Sequence, residues 1–237
     1  MQQLKLGNMA VDVHFKNIKN VHLSVHPPLG RVRVSAPTRM SLDTIRLFTI
    51  SKLSWIKLQQ RKLQKQERET PREYLERESH YLWGKRYLLA VRKTDDSPSV
   101  ELKHSRMLLH IGPKTDQAKR QEILEHWYRE QLKLKAPPLI AKWEKLMHVR
   151  VKKFYVQRMK TKWGSCNPSI GSIRLNTELA KKPRECLEYI VVHEMLHLLE
   201  PTHNERFIKL MDKFMPKWRF YREGLNRLPV RHESWEY

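Results

Sequence analysis

His193-Glu194-Met195-Leu196-His197 is the stretch of this sequence whose residue types and spacing can do chemistry. Residues four apart on an α-helix share a face, so the two imidazoles converge on one ion, and zinc is the ion that His-rich ligation favours. Glu194 points away from both rings but stays within reach of a water on that ion, placed to take its proton and pass it to a leaving group. A bare match of this kind also occurs on ordinary amphipathic helices. The residues after His197 argue for a site. Pro201 pushes Glu200 off helical geometry, and Thr202-His203-Asn204-Glu205 has the spacing of a capping box that opens a new helix. The chain therefore turns just before His203, folding it back toward His193 and His197. That gives three protein ligands and leaves a fourth position to water, as catalytic zinc sites require. Glu200, seven residues after His193 and so on the ligand face, is the competing third ligand; it can equally orient a ligand imidazole from behind. One Zn2+ per chain is expected.

The elements that must hold these residues can be read upstream. The helix with the two histidines opens near Pro183, after a short strand Ser172–Asn176, a loop over Lys162–Asn167 and an alternating strand Val149–Val156. A helical pattern runs from Gln117 to Lys135 and, beyond Pro137-Pro138, to about His148, the prolines marking a break or kink. Further back, Val21–Val25 and Arg31–Val34 read as a hairpin around His26-Pro27-Pro28-Leu29-Gly30, with Val11–Phe15 as an added strand. From Ser41 no Gly or Pro interrupts until Pro71, which predicts one long basic helix; Tyr87–Val91 and two segments between Val100 and Ile111 come next as strands. No internal repeat is visible. The expected division is a β-rich basic amino-terminal module over 1–115 and a second domain over 116–237, with the boundary near 112–116.

Composition bounds the answer. The 237 residues carry 47 Lys and Arg against 25 Asp and Glu, a net charge of +22, so some surface is strongly electropositive and acidic partners are in scope. Neither a membrane span nor export is supported, since no long apolar run occurs, and a cytoplasmic protein is expected. Cys166 and Cys186 alone cannot build a disulfide framework or a four-cysteine zinc site. In the long helix, Lys57, Arg61 and Lys65 accumulate beside Trp55, a composition that can track a phosphate backbone and stack on bases, or simply face solvent.

Taken together, Val191–Leu198, His203 and Phe207, preceded by Lys162-Trp163-Gly164-Ser165-Cys166 and Ile173-Arg174-Leu175-Asn176, resemble the YgjP-like metallopeptidases, whose relatives include the WLM and SprT-type zinc proteases. The region from Lys16 to Pro37 with Ser51–Ile56 looks like the amino-terminal part of the same family. The resemblance implies a compact α+β zincin-like domain of the minigluzincin type, zinc on His193, His197 and His203, and Glu194 as general base. Lys162 stands where the family has Arg, and Ile208 departs from a Phe-Trp pair after the third His; neither touches a proposed ligand.

The expected activity is that of a zinc-dependent metallohydrolase acting on a peptide or protein substrate, near nucleic acid if the charge is a docking surface. Ser172–Asn176 is the candidate edge for pairing an extended peptide, with Arg174 and Asn176 as substrate-binding residues. Asn176 and Arg158 are candidate oxyanion contributors. Cys166 is a packing residue or, less favourably, a thiolate near the metal. Two rivals keep part of this picture: a metal-dependent nucleotide phosphohydrolase, which the lack of a Gly-rich phosphate loop disfavours, and a basic nucleic-acid-binding protein with an idle zinc site, which has no use for Glu194.

Overall fold

In the computed structural model, which describes residues 2–26, 30–65, 72–159 and 162–227, the alternating apolar runs become strands with one face inward. β1 (Gln2–Leu6), β2 (Met9–Lys16), β3 (His22–His26) and β4 (Arg31–Pro37) form a sheet in the order β1-β2-β4-β3. β2 and β4 are parallel and the outer pairs antiparallel. Val11 and Val13 of β2 and Val32, Val34 and Ala36 of β4 share a core with Ile45 and Ile56 of the following helices. Pro27–Leu29 of the expected hairpin loop lie outside the described residues. At its end Gly30 adopts φ +75°, and a Cβ there would stand 2.8 Å from Gln60 Cγ. The Gln60 amide donates to the Gly30 carbonyl at 2.9 Å, tying the hairpin to a helix thirty residues on.

Where the pattern predicts one long basic helix, there are two, α1 (Leu42–Ser51) and α2 (Leu53–Lys65); residues 66–71 are outside the described range. The Thr49 hydroxyl donates to the Ile45 carbonyl at 2.7 Å and that of Ser51 to the Phe48 carbonyl at 2.8 Å. Such bonds to the preceding turn compete with the helix ladder and bend it, and the interruption falls at Lys52, just after this pair.

The described residues divide into two compact units, one within Met1–Thr70 and one within Pro71–Leu228. The division therefore falls near residue 70 and not at 112–116. The reason is burial: β5 (Ser79–Leu82), β6 (Lys85–Lys93), β7 (Ser99–Lys103) and β8 (Arg106–Ile111) place Leu82, Tyr87, Leu89, Met107, Leu109 and Ile111 in one core with the helix after them. Their order is β5-β6-β8-β7, with β6 and β8 parallel and the outer pairs antiparallel. This repeats the layout of the first sheet, a duplication in topology that the sequence does not display.

That helix, α3 (Gln117–Met147), is capped by Asp116, whose carboxylate accepts from the Lys119 N–H at 2.8 Å. It is continuous through Pro137 and Pro138, so that of the expected break or kink there is no break. Leu124, Tyr128, Leu132, Ala136, Ile140, Trp143 and Met147 form one buried stripe spanning the prolines, while both prolines lie on the exposed face. Burial of the stripe outweighs the lost ladder bonds, and Lys133 and Leu134, whose carbonyls lose their partners, are exposed residues.

The remainder carries the chemistry. β9 (Lys153–Gln157), β10 (Gly164–Asn167) and β11 (Ser172–Asn176) form a sheet in the order β10-β11-β9, antiparallel then parallel. Residues 164–167 are thus a strand where a loop is predicted. A 3-10 turn (Thr177–Lys181) leads to α4 (Arg184–Leu196), then α5 (Glu205–Phe214) and α6 (Trp218–Arg227). α4 is buried nearly all round, through Leu187, Ile190, Val191, Val192, Met195 and Leu196 among others. The fold class is α+β, as the sequence implies.

Candidate metal centre and active site

His193 and His197 sit one turn apart at the end of α4, where the apolar sequence around them makes the helix a fixed core element. The helix closes with the Leu199 and Glu200 N–H groups donating to the Leu196 carbonyl, both at 2.9 Å, and Pro201, having no N–H, stops it. The chain reverses and α5 starts with Asn204 as its N-cap, accepting from the Phe207 N–H at 3.0 Å. The cap is two residues later than the predicted Thr202, which leaves His203 in the connecting turn.

His193, His197 and His203 each offer a ligand nitrogen, all within 4.8 Å of one another. The His193 and His203 Nε2 atoms are 3.0 Å apart, near the roughly 3.3 Å that two nitrogens would span at Zn–N bonds of 2.0–2.1 Å in a tetrahedral site. His197 Nδ1 lies 3.1 Å from the Glu200 carbonyl. A carbonyl only accepts, so Nδ1 carries the proton and Nε2 is left as the donor atom. Phe207, buried, packs against all three rings and stacks on His197 at 4.8 Å with 26° between planes. His193 is held down to about 3, first by burial and then by the neighbouring His197, His203 and Arg222. These are imidazole nitrogen donors with no carboxylate bound to them among the described residues, and the donor set fits zinc.

The Glu200 side chain is turned elsewhere, accepting from the Thr202 hydroxyl at 3.0 Å and lying 3.8 Å from Arg206. It contributes its backbone carbonyl to His197 and no atom to the histidine cluster.

Glu194 is 5% exposed and lines the cleft. Burial raises its carboxyl to about 8, against the opposing charge of Lys162. The cleft, about 490 Å³, is bordered by Trp163, Gly164, Ser165 and Cys166 on one side and by Arg222, Leu225 and Asn226 of α6 on another. No sequence pattern singles out Tyr189, Arg222 or Asn226. Arg222 stands 29 residues beyond His193 with no spacing that would mark it. Gly164 is different: it is part of the Trp-Gly-Ser-Cys motif, and its role is steric, because a Cβ there would lie 2.7 Å from both Cγ and Oε1 of Glu194.

Several expected site residues are placed elsewhere. β11 is the interior strand, paired on both edges, so it cannot accept a peptide; the outer strand β10 has one edge without a strand partner among the described residues. Arg174 lies over the Tyr155 ring, 5.6 Å from its centroid, outside the cleft lining. Asn176 is buried and clasps backbone: its amide donates to the Met159 and Lys162 carbonyls at 2.8 Å each, and its oxygen accepts from the Glu178 N–H at 3.1 Å. Arg158 is 3.7 Å from Glu125 and likewise lines no part of the cleft. Cys166 does line it, but burial and then the Glu194 charge push its thiol up to about 11, so it is not a thiolate at neutral pH. Lys57 and Arg61 are exposed on α2; the Lys65 side chain lies outside what is described. Among the described residues no helix is long and apolar enough to cross a membrane.

A search of curated proteins matches none of them. Among solved structures, the metallopeptidase zymogen abylysin of Pyrococcus abyssi is similar at 19% identity and TM-score 0.35, over 37% of this chain and 89% of that one. The metallopeptidase zymogen jannalysin of Methanocaldococcus jannaschii is similar at 17% identity and TM-score 0.34, over 37% and 90%. The family model for the YgjP-like metallopeptidase domain matches residues 19–228, most of the chain including every residue of the histidine cluster and Glu194, and agrees with the chemistry of the cleft. The chain belongs to the YgjP-like metallopeptidase family, and it is a hydrolase of the zinc metallopeptidase type.

Proposed function

We propose that this chain hydrolyses peptide bonds in an extended protein or peptide substrate, with one zinc ion held by His193, His197 and His203 and with Glu194 as general base. The observation that carries the reading is convergence: three imidazoles free of carboxylate partners and one buried carboxyl line a single cleft beside an outer strand. When bound, the ion supplies Lewis-acid activation. Glu194 takes the proton of the attacking water and delivers it to the leaving amine, a transfer suited to a carboxyl held above its ordinary range. The edge of β10 that has no strand partner among the described residues aligns the substrate by backbone hydrogen bonds, which supports a broad sequence tolerance. Phe207 and the Glu200 carbonyl keep the rings from turning.

Exposed Lys57 and Arg61, beside Trp55 at 42% exposure, support a second and separable property, docking on nucleic acid. It concerns where the enzyme acts and does not bear on its chemistry.

The test is metal removal and return. Purified protein stripped by chelation loses hydrolysis of an unfolded protein, and one equivalent of Zn2+ restores it, while a His193→Ala, His197→Ala double variant binds no zinc and is not restored. Consumption of a nucleoside triphosphate in place of protein would transfer the site to the phosphohydrolase reading.

A further inference from the structure

Charge around the cleft is distributed unevenly. The last helix, α6, carries three arginines within ten residues besides the pairings they make, and two of them have carboxylate partners: Arg219 pairs with Asp212 and Arg227 with Glu223. Arg222, between them and lining the cleft, is in no ion pair or hydrogen bond among the described residues; its guanidinium only rests 5.9 Å from the centroid of the Trp218 ring. Nearby Arg206 has Glu200. Lys162, which also lines the cleft, is exposed and in no ion pair among the described residues. The one carboxylate among the lining residues is Glu194, which is buried and assigned to proton transfer. Among the described residues the cleft thus presents a guanidinium and an ammonium that are in no ion pair, and its one carboxyl, Glu194, is buried.

Arg222 lines the same cleft as His193, Glu194 and His203. A group bound to Arg222 therefore sits in the cleft that holds the histidine cluster and not at a remote exosite. A planar fork of N–H donors matches a carboxylate in two parallel hydrogen bonds, whereas Lys162 offers a point charge suited to steering.

We propose that the cleft selects substrates by a carboxylate, and that Arg222 is the specificity-determining residue that holds it, with Lys162 of the same cleft assisting. The inference rests on the peptidase reading above and names the substrate class within it. The carboxylate comes either from the substrate's chain terminus or from an Asp or Glu side chain near the scissile bond.

Binding tests it independently of turnover. Three alanine-rich hexapeptides are titrated calorimetrically into the Glu194→Gln protein, with and without Zn2+: one with a free terminal carboxylate, one amidated and neutral, and one amidated with an internal Glu. At least one carboxylate peptide is expected to bind about tenfold or more tightly than the neutral one, the scale of a charge-assisted hydrogen-bonded pair. The preference persists in the zinc-free protein, collapses to a ratio near one with Arg222→Gln, and is partly kept with Arg222→Lys. Whichever of the two carboxylate peptides wins identifies the source. Equal binding of all three, no binding of any, a ratio that survives Arg222→Gln, or a preference seen only with zinc present, which would make the ion the anchor, each overturns the proposal. Circular dichroism of Arg222→Gln guards against misfolding, which an exposed side chain should not cause. Failure of the peptidase reading shows separately, as absence of zinc-dependent protein hydrolysis by the unaltered chain.

Discussion

Glu194 and Gly164 occupy touching surfaces. A Cβ on Gly164 would stand 2.7 Å from Glu194 Cγ and Oε1 and 2.9 Å from Cδ, so the strand bordering the cleft and the carboxyl of the proposed base fit only because one of them has no side chain. The position needs glycine for space, since its φ is not in the left-handed region. Gly164→Ala is expected to displace the carboxyl and lower kcat at least about tenfold, within the range attributed to a positioned base. Zinc content should stay at the parental level, because the atoms nearest a Cβ at Gly164 all belong to Glu194. Unchanged kcat would show that the carboxyl has freedom that the packing denies.

The third ligand separates by substitution. His203→Ala is expected to weaken zinc binding by more than about a hundredfold, beyond what a lost orienting partner costs. Glu200→Ala should change it less than about tenfold, because the contact to His197 is made by the Glu200 backbone carbonyl and survives the substitution. Competition with a chromophoric chelator measures both. The reverse ranking would move Glu200 into the ligand set.

The prolines inside α3 make a stability prediction. Pro137 and Pro138 are exposed and remove two ladder hydrogen bonds from a continuous helix. Replacing either with Ala should stabilise the second unit by about 2 kcal/mol, the helix-interior cost of proline less the entropy it removes from the unfolded chain. Urea unfolding reads the change; destabilisation would mean that the prolines fix a local geometry the fold requires.

Acid stability offers another check. Burial pushes the Glu78 carboxyl up, but His80 at 3.0 Å and the backbone N–H groups of Glu73 and Tyr74 outweigh it and hold the group at about 2. A carboxyl depressed in the folded state adds stability above its unfolded value of 4.5 and loses it as pH falls toward 2. Glu78→Gln should therefore cost on the order of 2 kcal/mol at pH 6, after allowance for partial exposure, and flatten the decline between pH 4.5 and 2. A variant whose acid limb parallels the parent's would remove Glu78 from the account.

How much of this site is legible in the sequence depends on the range of the interactions involved. His193, Glu194 and His197 are legible because a helix alone sets their geometry, and His203 because Pro201 forces the turn that returns it. Gly164 is visible as a motif residue, but its reason lies in a side chain thirty residues away. β11 reads as a peptide-binding edge because a short apolar strand looks the same whether paired on one side or two; pairing is decided by β9 and β10. Asn176 reads as free for substrate because nothing local shows that it clasps the backbone at Met159 and Lys162. The continuity of α3 depends on a buried stripe whose main partners, the 3-10 turn at Thr177–Lys181 and α4, lie well beyond it in the sequence, and Arg222 carries no local signature at all.

The central claim is that Glu194 moves the proton while the three histidines hold the metal, and the most direct measurement is zinc content and peptide turnover of Glu194→Gln side by side with the parent. The account predicts one zinc per chain in both proteins and at least about a hundredfold lower kcat in the variant, the scale of a lost general base. Near-parental turnover in a zinc-loaded Glu194→Gln protein would contradict it.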